Sequence, residues 1–182
     1  MMKRMITLLA LGLMLGLATS AHATGWGVGG FGGVSIPLAQ DDGEQGMVFG
    51  GHVKLSVAGM LGIEPNFTYF KNGDWEFDEV PGETFAGSTF NSFGVNLILG
   101  GAGPVTGLRF FPFAGVKYYN EDSDYYDTEA QFGWNGGVGL EIGMRNFGVE
   151  ARGSFELMTL DGGGSRKWGH ITAGLNIYFG VI

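Results

Sequence analysis

Beyond residue 24, polar and apolar residues alternate with a period of two in eight successive stretches. These cover residues 26–36, 47–57, 61–71, 88–99, 107–118, 131–142, 147–158 and 168–179. The last is the clearest: Ile171, Ala173, Leu175, Ile177 and Phe179 fall on one face, and His170, Thr172, Gly174, Asn176 and Tyr178 on the other. The seventh sets Val149, Ala151, Gly153, Phe155 and Leu157 against Glu150, Arg152, Ser154 and Glu156. Period two is the geometry of a strand whose two faces meet different surroundings. The pattern predicts an all-β protein of eight strands.

The connections carry a second signal. Three are short, at 58–60, 100–106 and 143–146, and they interleave with four longer ones at 37–46, 72–87, 119–130 and 159–167. Short turns at one end and long loops at the other are the build of an antiparallel up-and-down barrel spanning an outer membrane, turns to the periplasm and loops outside. Aromatic residues near the strand ends suit the two headgroup regions. Trp26, Phe147 and Phe179 are expected at the periplasmic girdle, and Phe67, Tyr69, Tyr118, Phe132 and Trp134 at the outer one.

The first residues fit this compartment. Lys3 and Arg4 precede an apolar run, and Ser20-Ala21-His22-Ala23 supplies small residues at a cleavage site. Residues 1–23 are therefore expected to be a removed signal peptide and 24–182 the barrel domain. The apolar run is short for a permanent span, which needs about 20 residues. The mature chain carries eight basic and eighteen acidic residues, a net charge of −10. That acidity excludes nucleic acid as a natural partner. With no cysteine, neither a disulfide framework nor a cysteine zinc site exists. The 36 glycines argue against helices.

Period two alone fits a soluble, lipocalin-like lipid carrier equally well, with its apolar face turned inward. The make-up of the polar face favours the membrane barrel. It carries Lys54, Arg109, Lys117 and Arg152 against Glu64, Glu141, Glu150 and Glu156, four of each sign. Neutrality suits a confined lumen, where an unpaired charge is costly. Gly29, Gly33, Gly50, Gly94, Gly115, Gly133, Gly137 and Gly139 share the face and leave room for long partners. These eight charged residues are the candidate functional set, as a structural plug or as the selectivity lining of a narrow solute path.

With its eight alternating segments, acidic long loops and closing Ile171-Thr172-Ala173-Gly174-Leu175-Asn176-Ile177-Tyr178-Phe179, the chain resembles the small outer-membrane barrels of the OmpA, OmpX and opacity-protein type. It departs from them in placing Gly180-Val181-Ile182 after the last aromatic. The resemblance implies a cell outer-membrane location, contact with membrane lipid and lipopolysaccharide, and recognition by the barrel-assembly machinery. It implies a structural or surface-interaction role, with limited small-solute permeation left open. No cofactor, metal or catalytic residue is expected.

One enzymatic alternative is a lipid A-modifying activity, since barrels of this size include deacylases and palmitoyltransferases. His170 sits across from the strand carrying Glu150, Arg152, Ser154 and Glu156, which allows a Ser-His-Glu constellation, but the deacylase pattern resembles His-x-Ser and this chain has Thr172. His170 also has lumen parity, whereas chemistry on lipid needs the bilayer face. The long loops hold 14 of the 18 acids. Asp122, Asp124, Asp127 and Glu129, and likewise Asp41, Asp42 and Glu44, offer oxygen ligands to a divalent cation. A surface partner at these loops is the other expectation, with Tyr118, Tyr119, Tyr125 and Tyr126 suited to a contact.

Overall fold

The β1 strand (Trp26–Pro37) bonds to β2 (Gly46–Ala58) on one side and to β10 (Ser165–Phe179) on the other, so the sheet has no free edge. Closure follows in chain order through β3 (Leu61–Lys71), β6 (Thr89–Leu99), β7 (Gly107–Asp122), β8 (Ala130–Met144) and β9 (Phe147–Thr159). Every neighbour pair is antiparallel. The result is a closed eight-stranded up-and-down barrel. β4 (Trp75–Glu76) and β5 (Thr84–Phe85) form a separate two-stranded ladder in the connection from β3 to β6. The computed structural model describes residues 25–38, 44–58, 60–73, 75–76, 84–85, 87–104, 106–122, 130–160 and 163–180. The expected signal segment, 1–23, lies outside them.

The two faces are sorted as the alternation predicts. Along β10 burial alternates residue by residue from Trp168 to Phe179. Ile171, Leu175 and Ile177 face outward, exposed by half or more, while His170, Thr172 and Asn176 point inward and are buried. This is the reverse of a soluble carrier, so the lipocalin alternative is discarded. Closure also pairs the backbone polar groups of all eight strands, the requirement for crossing hydrocarbon. Rings pack at both expected girdles: Trp26 stacks on Phe179 at 4.5 Å, and tilted pairs join Phe49 to Tyr69 at 4.6 Å and Phe67 to Phe93 at 4.9 Å.

Two strands run three or more residues beyond the predicted bounds, both at the end of the long loops: β7 continues to Asp122 and β10 starts at Ser165. β8 gains two residues at the short-turn end and one at the other. The β7 and β10 extensions are rich in Asn, Asp, Glu, Ser and Lys, which read as loop. They stay in the ladder because their partners do: Thr89 pairs with Asp122, and Ser165 with Thr159.

At the opposite end, the 100–106 connection folds into the barrel mouth. Gly100 and Gly101, with φ of 100° and 86°, both donate to the Met60 carbonyl, a bend that needs glycine. The bend tucks Ala102 against Gly62 and into a cluster with Ile98, Phe111 and Phe113.

Inside, large side chains lie across glycines of the adjacent strand. Phe111 covers Gly139, Phe113 covers Gly137, Tyr178 covers Gly27, Lys117 covers Gly94 and His52 covers Gly29. Each is a direct cross-strand pair. A Cβ on Gly139 would overlap the Phe111 ring, whereas one on the outward-facing Gly153 would meet nothing within 4 Å. Gly139→Ala is therefore expected to destabilise the refolded barrel by about 1–3 kcal/mol, the usual penalty of overpacking. Gly153→Ala should leave the urea midpoint in detergent unchanged, and equal midpoints for the two variants would reject this packing.

Candidate functional site

The eight charged residues expected in the lumen all lie there, buried, and fall into two groups. The larger is nearer the short-turn end. Lys54 Nζ donates to Glu150 at 2.6 Å and to Glu141 at 3.0 Å. Arg109 Nη2 reaches the same Glu141 oxygen at 2.7 Å, and its Nη1 donates to the Gly103 carbonyl of the inward-folded turn at 2.9 Å. The Tyr178 hydroxyl accepts from both Lys54 and Arg109 and donates to Glu141 at 2.6 Å. Arg152 grips Glu64 with two parallel bonds of 2.7 and 2.5 Å, the fork geometry that suits guanidinium and carboxylate. Arg152 Nε also lies 2.8 Å from Glu150, an ion pair whose angle does not make a hydrogen bond. Three cations thus meet three carboxylates.

Neutral groups finish the network. Asn176 donates to Glu150 at 3.0 Å and accepts from His52 at 2.7 Å, which puts the His52 proton on Nε2. Asn135 donates to Asn96, which donates to Glu64 at 2.9 Å. The Phe111 ring lies beneath Lys54, Arg109 and Arg152, with the charges 5.0, 5.8 and 5.4 Å from its centroid. One ring thus meets three cations, a cation–π contact that adds to the ion pairs.

The smaller group is Lys117 with Glu156. Lys117 Nζ pairs with Glu156 and donates to Thr68 at 3.1 Å, and Tyr119 donates to Glu156 at 2.8 Å. His170 Nδ1 lies 3.4 Å from Glu156. Between the two groups is a cavity of about 30 Å³ lined by Asn66, Asn135, Ser154, Thr172 and His170 among others. It has room for one or two waters. Above Lys117, Phe70, Phe90, Tyr119, Trp168, Val48 and Met158 form a fully buried apolar cap. Phe70 stacks on Phe90 at 4.8 Å, and Trp168 packs edge-on against both.

The pattern reading missed this cap and the inner Phe111–Phe113 cluster, because it sought only polar residues on the lumen face. The signal was present: Phe70 has the parity of Glu64, and Phe111 and Phe113 that of Arg109 and Lys117. His170 and Ser154 are direct cross-strand partners, but His170 Nε2, which would take a serine proton, has no hydrogen-bond partner. Of the acids suited to a loop cation, Asp41, Asp42, Asp124, Asp127 and Glu129 lie outside the described residues. Among the described residues no three His, Cys, Asp or Glu are grouped to hold a metal.

A closed even-stranded sheet, apolar outside and charge-neutral within, defines an integral outer-membrane barrel. The chain belongs to the outer membrane protein beta-barrel domain family, whose model matches residues 6–179, and it resides in the outer membrane. No curated protein matches it significantly. Among solved structures it is similar to Neisserial surface protein A, with a TM-score of 0.63 and 12% identity over 85% of this chain and 97% of that one. It is also similar to the N-terminal barrel of Pseudomonas aeruginosa OprF, with a TM-score of 0.56 and 17% identity over 86% and 98%. Ail, the attachment invasion locus protein of Yersinia pestis, gives 0.52 and 16% over 85% and 99%. At such identities the likeness is one of fold.

Removing one partner of a buried pair strands the other, at a cost of about 3–5 kcal/mol. Arg152→Met should lower barrel stability by that amount, since Glu64 and Glu150 both lose a cation. Adding Glu64→Gln should recover at least part of the loss. Urea unfolding of the refolded variants measures both, and a wild-type midpoint for Arg152→Met would contradict the pairing.

Proposed function

We propose that this protein is a plugged outer-membrane barrel with a non-enzymatic role in the envelope, acting through its rigid wall and its outer loops. The observation that carries this reading is the filling of the lumen. An aromatic cap closes the outer end, the Ala102 turn and the Phe111–Phe113 cluster close the inner end, and bonded charges occupy the length between. The space left between these layers is about 30 Å³, room for only a water or two. An eight-stranded wall is just wide enough for side chains to fill, and a diffusion pore needs about 16 strands. These features favour a plug over the limited-permeation reading.

The geometry also disfavours lipid chemistry. Ser154 and His170 lie inside the wall, separated from the bilayer by the sheet, and the link from base to nucleophile is not made. Acyl transfer requires that link.

For the loops, charge narrows the class of partner. Ail is known in complex with the heparin analogue sucrose octasulfate. This chain's long loops hold 14 of its 18 acids and would repel such a polyanion. A cationic surface or a divalent cation shared with lipopolysaccharide phosphate suits them better.

The refolded mature chain is expected to be silent in a planar bilayer, and reproducible discrete conductance steps would overturn the plug. It should also pass unretained through immobilised heparin at about 0.15 M salt. Retention there would reject the assignment of a cationic partner.

A further inference from the structure

The turn between β8 and β9 holds a conformation its sequence does not favour. Met144 pairs with Phe147, leaving Arg145 and Asn146 as a two-residue loop, and Arg145 has a φ of 59°. Asn146 is not among the residues with positive φ. Positive φ at the first loop residue alone is the type II′ pattern, a position that normally takes glycine. A residue with a Cβ is strained there.

The turn is also pinned. The Asn146 carbonyl accepts from the Tyr178 amide at 2.7 Å, and the Asn146 side chain donates to the Tyr178 carbonyl at 3.1 Å. Tyr178 adjoins Phe179, whose ring stacks on Trp26 in the periplasmic girdle. These bonds hold Arg145 at headgroup depth, flanked by the outward-facing Met144 and the half-buried Phe147. Its side chain is exposed, and among the described residues it makes no ion pair or hydrogen bond. It is the one charged residue in the three short connections, 58–60, 100–106 and 143–146.

A strained backbone that presents an unpaired guanidinium at fixed depth points to a ligand outside the protein. The anionic group at that depth is a lipid phosphate, which a guanidinium can bind with two parallel hydrogen bonds. We infer that Arg145, on its Asn146-pinned turn, is a binding site for the phosphate of an anionic phospholipid in the periplasm-facing leaflet. Glycine would relax the turn but lose the site.

The test is a phosphatidylglycerol titration of the refolded mature barrel in neutral detergent micelles, read by native mass spectrometry. The wild type should bind its first lipid about tenfold more tightly than Arg145→Gly, one charge-assisted contact's worth. Arg145→Lys, which keeps the charge but not the fork, should fall between. The urea midpoint of Arg145→Gly should equal or exceed that of the wild type, since glycine suits the turn. Equal lipid affinity in wild type and Arg145→Gly would overturn the site. So would a lowered midpoint for Arg145→Gly, which would make Arg145 a structural turn residue. Displacement of the lipid by inorganic phosphate alone would likewise assign the site to free anions rather than lipid.

Discussion

Ionised groups in a lumen that holds almost no water must be neutralised where they stand. Moving one carboxylate or ammonium out of water costs several kcal/mol even after relaxation, and only close, well-aligned partners repay it. The barrel meets this constraint locally as well as in total. Lys54, Arg109 and Arg152 balance Glu64, Glu141 and Glu150 at one level, and Lys117 balances Glu156 at another. Neither group borrows charge from the other across the cavity. Tyr178, Tyr119 and the asparagines take up the lone pairs and protons that the ion pairs leave over.

The second constraint is width. Eight strands enclose a lumen only just large enough for side chains, so a long residue on one strand requires a short one opposite. Glycine answers this across the network: Gly94 under Lys117, Gly139 under Phe111, Gly27 under Tyr178. The high glycine content is thus the complement of the charged and aromatic filling.

This explains what could be read from the chain and what could not. Parity along a strand is local, so Glu150 and Arg152 reveal their face within a few residues. Partnership is not local. Arg152 and Glu64 are 88 residues apart, and their meeting depends on the register of every strand between them. Ala102 was hidden for the same reason, since it becomes core only once its turn bends inward beneath Gly62. The outer strand extensions escaped notice because a ladder held by its neighbours overrides the loop propensity of Asn120, Glu121 and Asp122.

Charge is also partitioned along the barrel axis. Among residues 24–182, whose net charge is −10, the lumen groups cancel, four against four. In the sequence the remaining 14 acids fall within 37–46, 72–87, 119–130 and 159–167, against Lys71, Arg166 and Lys167 in or beside those stretches, a balance of −11. The short connections carry Arg145 alone, and the two ends together account for the whole net charge of −10. The filled lumen adds no net charge, so the acidic excess of the sequence belongs to the stretches between the strands. A field of that sign outside the wall concentrates cations at the outer surface and weakens with added salt. A partner outside the wall meets the charge of the two ends, because the charges in the lumen are already committed to one another.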